Sequence, residues 1–581
     1  MTCQTHDTSR RESHCGNSAT RRACQRLLTA VGFFLVSVSP LQAVTHRCGT
    51  LQQDETWLAA DGPYVLDCTV VVPSGVTLMI QPLAVVKAAP SVSLLVQGTL
   101  KADGAGGAIQ FTSLKDDTVG GDTNGDGSAS SPAAGDWDAI TFDSPSTGNL
   151  LNNVEVRYGG SGSTGNLYAL TSSLTISNSK VSSGRAAGIY VAGRAAPTIS
   201  GNTITGNIGE AIVLNADSTG AIIVGNSASG NRINGAWVLG GTVPATVAWG
   251  SNLPYVLGGP VYVSSGVTLT VPPLAVVKAA PSVFMVVQGT LNADGAGGKI
   301  QFTSLKDDTA GGDTNGDDGA TSPGAGDWDA ITFDSPSTGN LLNNVEVRYG
   351  GSGSTGNLYA LTSSLTIRNS KVSSSSAAGL YVSGSGVSPS VIAARFVLNS
   401  VGISFTNGAS GSVTDSAFVG QTVDAISIDS TSRPVLNGYN RFACNTRYNI
   451  YGLNTEIVQA QRNWWGSDQP GVFLGGFYNA TTLDYSNYLD YNSYVISEAT
   501  SSAPAIAELM VRRKPGTDDL VLSWEDIASG CGYDVRRGVS PNDPTAFSFI
   551  SGPPAFLGSS FVDFSAAGPG EPDFYYSVYV H

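Results

Sequence analysis

The chain has 581 residues, enough for several domains, and carries a formal net charge of −15 at pH 7 with only 13% charged residues and 71 Gly. So acidic a chain lacks the basic field that a nucleic-acid partner requires, which excludes that class. Abundant Gly with β-branched residues in short runs describes short strands between tight turns, and no window of useful length shows a 3.6-residue apolar stripe, which excludes a helical protein.

Residues 1–43 read as a secretory signal. Arg10, Arg11, Arg21, Arg22 and Arg26 precede the apolar run from Leu27 to Val38, which is too short to span a bilayer, and Pro40 and Ala43 mark a cleavage site. An uncleaved membrane anchor is the alternative. No second apolar stretch of spanning length follows, so the mature chain is expected to have no transmembrane segment and to be secreted, extracellular or held at the cell surface.

From Pro63 to about Gly188 nearly every residue has a counterpart 191 positions later, giving two copies, about 63–188 and 254–379. Ala134 to Ile176 recurs unchanged as Ala325 to Ile367. Within each copy short apolar runs such as Val76 to Ile80, Ala84 to Lys87 and Leu94 to Val96 are set apart by Gly, Pro or Ser. Ile176, Ile199 and Ile222 lie 23 apart, as do Ile189 and Ile212, while Ile367 and Val391 are separated by 24. A period near 23 with three short strands per period is the mark of an array whose rungs bury apolar residues only by stacking. Ile176, Ile199, Ile222, Ile189 and Ile212 are therefore expected inside.

Together with this period, PYVL at Pro63 and Pro254, GDWDAI with NNVEVRYGG in mid-copy and NWWG at Asn463 to Gly466 resemble the right-handed parallel β-helix proteins, the pectate-lyase-like solenoids, of the secreted bacterial kind. The resemblance covers roughly Cys48 to Tyr494. It implies an all-β chain with a right-handed parallel β-helix over 44–496, about seventeen rungs and on the order of 80 Å long. Leu83 and Leu274 depart from it, standing where relatives often carry Gly. Trp464 and Trp465 are expected to cap the apolar column.

Of seven Cys, Cys3, Cys15 and Cys24 leave with the leader. Cys48 and Cys68 stand close together at the mature N-terminus, and Gly259 replaces Cys68 in the second copy. A disulfide closing the first turn is expected, with free thiols as the alternative. Spacing leaves open whether Cys444 and Cys531 pair. Residues 497–505 form a polar small-residue linker. Beyond it, over 506–581, Leu520 to Trp524, Tyr533 to Arg537 and Tyr575 to Val580 alternate as half-buried strands do, and resemble a fibronectin type III module, a small β-sandwich-like domain.

Histidine is confined to the leader and the mature ends, which excludes an imidazole-based triad or a His/Cys zinc site inside the rod. The candidates for carboxylate chemistry are Asp136, Asp138, Asp143, Glu155 and Arg157 with their duplicates Asp327, Asp329, Asp334, Glu346 and Arg348. Glu155 and Arg157 share a strand face, and an outward ion pair over inward Val154, Val156 and Tyr158 competes with a catalytic role. Trp137 with Asp138, and Trp328 with Asp329, offer a ring and an acid to a sugar; a bulky residue sealing the rod is the alternative. The loop from Lys115 to Trp137, repeated at Lys306 to Trp328, carries Asp122-Thr123-Asn124-Gly125-Asp126-Gly127. The oxygens of Asp122, Asn124 and Asp126, and of Asp313, Asn315 and Asp317, alternate as in the first half of an EF-hand-type loop and suggest Ca²⁺. Ala133 stands where a closing Glu is expected, leaving Asp116, Asp117 or Asp136 to close the site. A solvated acidic loop is the other reading.

Two functions follow. One is a secreted, non-catalytic β-helix protein binding a polysaccharide, a cell-surface glycan or another surface; the other is a polysaccharide lyase or glycoside hydrolase. Duplication favours the first, since two copies of a binding surface add avidity.

Overall fold

The computed structural model describes residues 44–488, apart from 163, 336–338, 354, 363, 467–469 and 471–473, and six strands between 510 and 580. The signal expected at 1–43 and the linker at 497–505 lie outside the described residues. From Thr45 onward the chain winds as a parallel solenoid of about 18 turns. Each regular turn contributes three short strands, and within a column each strand pairs in parallel with its counterpart one turn on, as Lys180–Ser182 does with Thr203–Thr205.

Three columns run through the first copy. One passes through Val86, Phe111, Val156, Val181 and Ile204, a second through Leu94, Ile140, Leu167, Ile189 and Ile212, and a third through Ile80, Ala102, Leu151, Ile176 and Ile199. All are buried, and together they form one continuous core. Stacking like on like at the rung spacing gives each side chain the contacts that no single rung supplies.

The third column corrects one expectation. Ile222 is 58% exposed, whereas Ile223, 3% exposed, pairs with Ile199. A short 3-10 turn at Ala216–Ser218 lengthens this rung to 24 residues, and a one-residue shift reverses the face of every side chain in the strand. Ile176, Ile199, Ile189 and Ile212 are inward as expected.

Turns between columns are fixed by side-chain amides. Asn202 donates to the Ile176 carbonyl at 2.9 Å while its backbone N–H donates to Asn226 Oδ1 at 3.0 Å; Asn207 and Asn231 repeat the pattern at the next corner. Beyond the second copy the ladder ends on Asn463 of NWWG, whose Oδ1 accepts from the Asn440 N–H at 2.9 Å. Beside it Phe396, Phe418, Phe442 and Trp465 stack with centroids 4.6–5.1 Å apart. Trp465 is thus a rung of the stack, with Phe477 set edge-on against it.

Where the copies meet, the columns do not run straight through. The second column of the first copy continues through Ala236 into Tyr255, Val277 and Phe302, which are the first column of the second copy. The first copy's first column stops at Ser227–Ser229. Each copy begins on a Trp stacked against a Tyr, Trp57 on Tyr64 and Trp249 on Tyr255. The disulfide between Cys48 and Cys68 is formed at the start of the rod. Leu83 and Leu274 adopt a φ of 68°, the left-handed region that favours Gly, and are exposed at their turns.

The C-terminal strands form two antiparallel sheets of three, Met510–Arg513 with Leu520–Ser523 and Ser560–Asp563, and Ser548–Phe549 with Tyr533–Gly538 and Tyr575–Val580.

Candidate functional site

The acidic loops are tied to the rod. Asp116, fully buried, takes a salt bridge from Arg157 at 2.7 Å, and Asp136 accepts from Lys115 at 2.8 Å and from Ser113 Oγ at 2.7 Å. Beneath the loop the buried Lys87 donates to the Gly121 carbonyl. Every one of these contacts recurs in the second copy, through Asp307 and Arg348, Asp327 with Lys306 and Ser304, and Lys278 with Gly312. Burial pulls the Lys278 ammonium down to about 8, against the opposing pull of Asp307, Asp308 and Asp313.

These anchors leave one of the three candidate closing residues for the tip. Asp117, Asp122 and Asp126 bring carboxylate oxygens within 4.8 Å of one another, and Asp308, Asp313 and Asp317 do the same. Asp122 also caps its own turn, accepting from the Gly125 and Gly127 N–H groups at 2.7 and 2.8 Å. Asn124 turns its amide nitrogen to Asp126 Oδ2 at 2.9 Å. Asp117 Oδ1, Asp308 Oδ1 and Asn315 Oδ1 are buried without a hydrogen-bond partner. Burial and the neighbouring Asp313 push the Asp308 carboxyl above its ordinary range. An all-oxygen cluster with orphaned, mutually repelling acceptors fits a hard divalent cation. The second cluster is the more enclosed, because its loop rests on the end of the first copy: the Asn234 N–H donates to the Thr314 carbonyl at 2.7 Å.

Trp137 and Trp328 are 1% and 2% exposed, and their Nε1 groups donate to the Arg157 and Arg348 carbonyls at 2.8 Å. Rings so placed seal the rod where the loop departs and have no free face for a sugar. Asp138 accepts from Ser93 Oγ at 2.6 Å and from the Gly162 N–H at 2.9 Å, and Asp329 from the Gly353 N–H at 3.0 Å; they brace the turn that follows.

Glu155 and Arg157 point outward over buried Val154 and Val156, while Tyr158 is only half-buried. Glu155 pairs with Lys180 at 2.9 Å and Arg157 at 3.4 Å. In the second copy Lys299, Arg348 and Lys371 surround a buried Glu346 at 3.0–3.5 Å. Burial alone would raise that carboxyl, but the three cations outweigh it and hold Glu346 at about 2.

A family model described as "Right handed beta helix region" matches residues 138–248. The rod is folded as a right-handed parallel β-helix. No curated protein and no solved structure matches it. No helix among the described residues of this β-helix protein is long and apolar enough to cross a membrane. Sequence reasoning did not find the buried Lys87 and Lys278 under the loops, since a Lys within a strand reads as surface; their one signal was the repeated VVKAAP phrase.

Proposed function

We propose that this β-helix protein is exported and non-catalytic, and that it binds carbohydrate or another surface through the rod, with the C-terminal, fibronectin type III-like strands as a second contact. The observation that carries the reading is the engagement of Glu346, the most buried carboxylate among the candidates for acid–base work, by Lys299, Arg348 and Lys371 at 3.0–3.5 Å. A general acid at neutral pH needs a raised carboxyl, and this one is held at about 2 by three cations. Asp136, Asp138 and Glu155 are likewise engaged in ion pairs or turn bracing. The acidic loops are read as Ca²⁺ sites, Asp117, Asp122 and Asp126 holding one ion and Asp308, Asp313 and Asp317 another. The ion would supply cross-linking of loop to rod.

The test is incubation of the secreted protein with uronate and neutral polysaccharides, read both as reducing-end or unsaturated-product release and as co-sedimentation. Binding without product is expected. Sustained turnover on any of them would replace this reading with a polysaccharide lyase or hydrolase.

A further inference from the structure

We propose that a groove on the second copy is a binding site for a neutral glycan, an inference that rests on the carbohydrate-binding reading above and gives it a place and a ligand class. The groove, a depression of about 400 Å³, lies beside the turn that holds Gly351, Ser352 and Thr355 and over strands Ala378–Ser383 and Val401–Thr406. Ser352, Thr355, Ser376, Ser400, Ser404 and Tyr381 present its hydroxyls, with small apolar patches from Ala377, Ala378 and Val401 between them.

The duplication supplies an internal comparison. One wall, made of Gly351, Ser352 and Thr355, belongs to the stretch that is identical in both copies. The other wall has diverged. Ser376 stands where the first copy has Arg185, whose aliphatic stem lies over Gly135. Ser400 follows its ladder residue Asn399 as Ile208 follows Asn207, and Ser404 pairs with Tyr381 as Val213 pairs with Tyr190. At three positions along one side of this depression Ser stands where the matching turns of the first half of the rod carry a larger side chain.

The chemistry of the lining selects the ligand. None of its side chains is charged at neutral pH, so neither an anion nor a cation meets a counter-charge. The local backbone is committed: the Ser400 N–H donates to the Ser375 and Ala377 carbonyls at 3.1 Å, and the Ala378 N–H to the Thr355 carbonyl at 3.3 Å, leaving no strand edge for a peptide to extend. Six hydroxyls that both donate and accept, beside an aromatic ring and small apolar patches, match a pyranose, which has hydroxyls at its rim and C–H groups on its face. Tyr381 is held for such stacking by edge-to-face contact with Tyr359, centroids 5.3 Å apart, and Ser376 is fixed by donating to the Gly351 carbonyl at 2.8 Å.

The experiment is calorimetric titration of the full chain with cellohexaose, xylohexaose and mannohexaose, and with hexagalacturonate as the charged comparator. Tyr381→Ala and the double variant Ser376→Arg/Ser404→Val are compared with Tyr190→Ala in the first copy. The double variant carries side chains that the first copy already accommodates, and unchanged melting temperatures verify that all three fold. Binding of a neutral hexasaccharide, weakened at least tenfold by both groove variants and unchanged by Tyr190→Ala, is expected. Neutral-glycan binding that survives both variants would overturn the groove while leaving the carbohydrate-binding reading standing. Binding of hexagalacturonate alone would overturn the ligand class, and no binding to any of the four would overturn both.

Discussion

Trp137 fills the space where the acidic loop leaves the rod, so its loss should act on stability. Trp137→Ala is expected to cost about 3 to 5 kcal/mol in denaturant unfolding, the range for emptying a large aromatic site. A change in glycan affinity at unchanged stability would contradict that placement. Glu346 makes a separate prediction in pH. Its folded value, about 2, lies below its ordinary 4.5, so its contribution is complete above 4.5 and is lost as pH falls toward 2. Melting temperature should drop across that window in the wild type and drop less in Glu346→Gln, which begins lower because three cations lose their partner. Sequence alone gave both residues in pairs of candidates without deciding between them, because burial is what separates a sealing Trp from a stacking one, and an ion-paired carboxylate from a catalytic one.

The strand period was readable because inward Ile and Val recur at near-constant spacing. It misled at Ile222, where two adjacent Ile residues make the apolar pattern ambiguous and the Ala216–Ser218 turn adds a residue. The Asn ladder was visible only as turn composition. Asn207 accepts from the Gly184 N–H and from Asn166 and donates to the Val181 carbonyl and Asn231, so Asn207→Ala should cost about 1 to 3 kcal/mol by stranding buried partners, measured by chemical denaturation. The acidic loop was legible as a ligand pattern, but its closing residue was not, since that depends on Arg157 and Lys115 claiming Asp116 and Asp136. Millimolar Ca²⁺ is predicted to raise the melting temperature, with half the rise lost in Asp122→Ala/Asp126→Ala and half in Asp313→Ala/Asp317→Ala. No shift in the wild type would retire the ion. The groove was illegible for a different reason: it is made by small residues brought together from three successive turns.

Across the whole molecule the duplication does more than lengthen the rod. Since the second copy begins on a different column, its acidic loop leaves from a different strand column of the rod than the first. The central claim is a parallel β-helix whose copies join with this column offset. Trp237 sits beside Val256 in register, whereas an uninterrupted first column would put Ser229 there. Two double-cysteine variants, Trp237→Cys/Val256→Cys and Ser229→Cys/Val256→Cys, secreted through an oxidising compartment and mapped by mass spectrometry, distinguish the arrangements most directly. The account predicts a 237–256 cross-link and no 229–256 cross-link; the reverse result would contradict it.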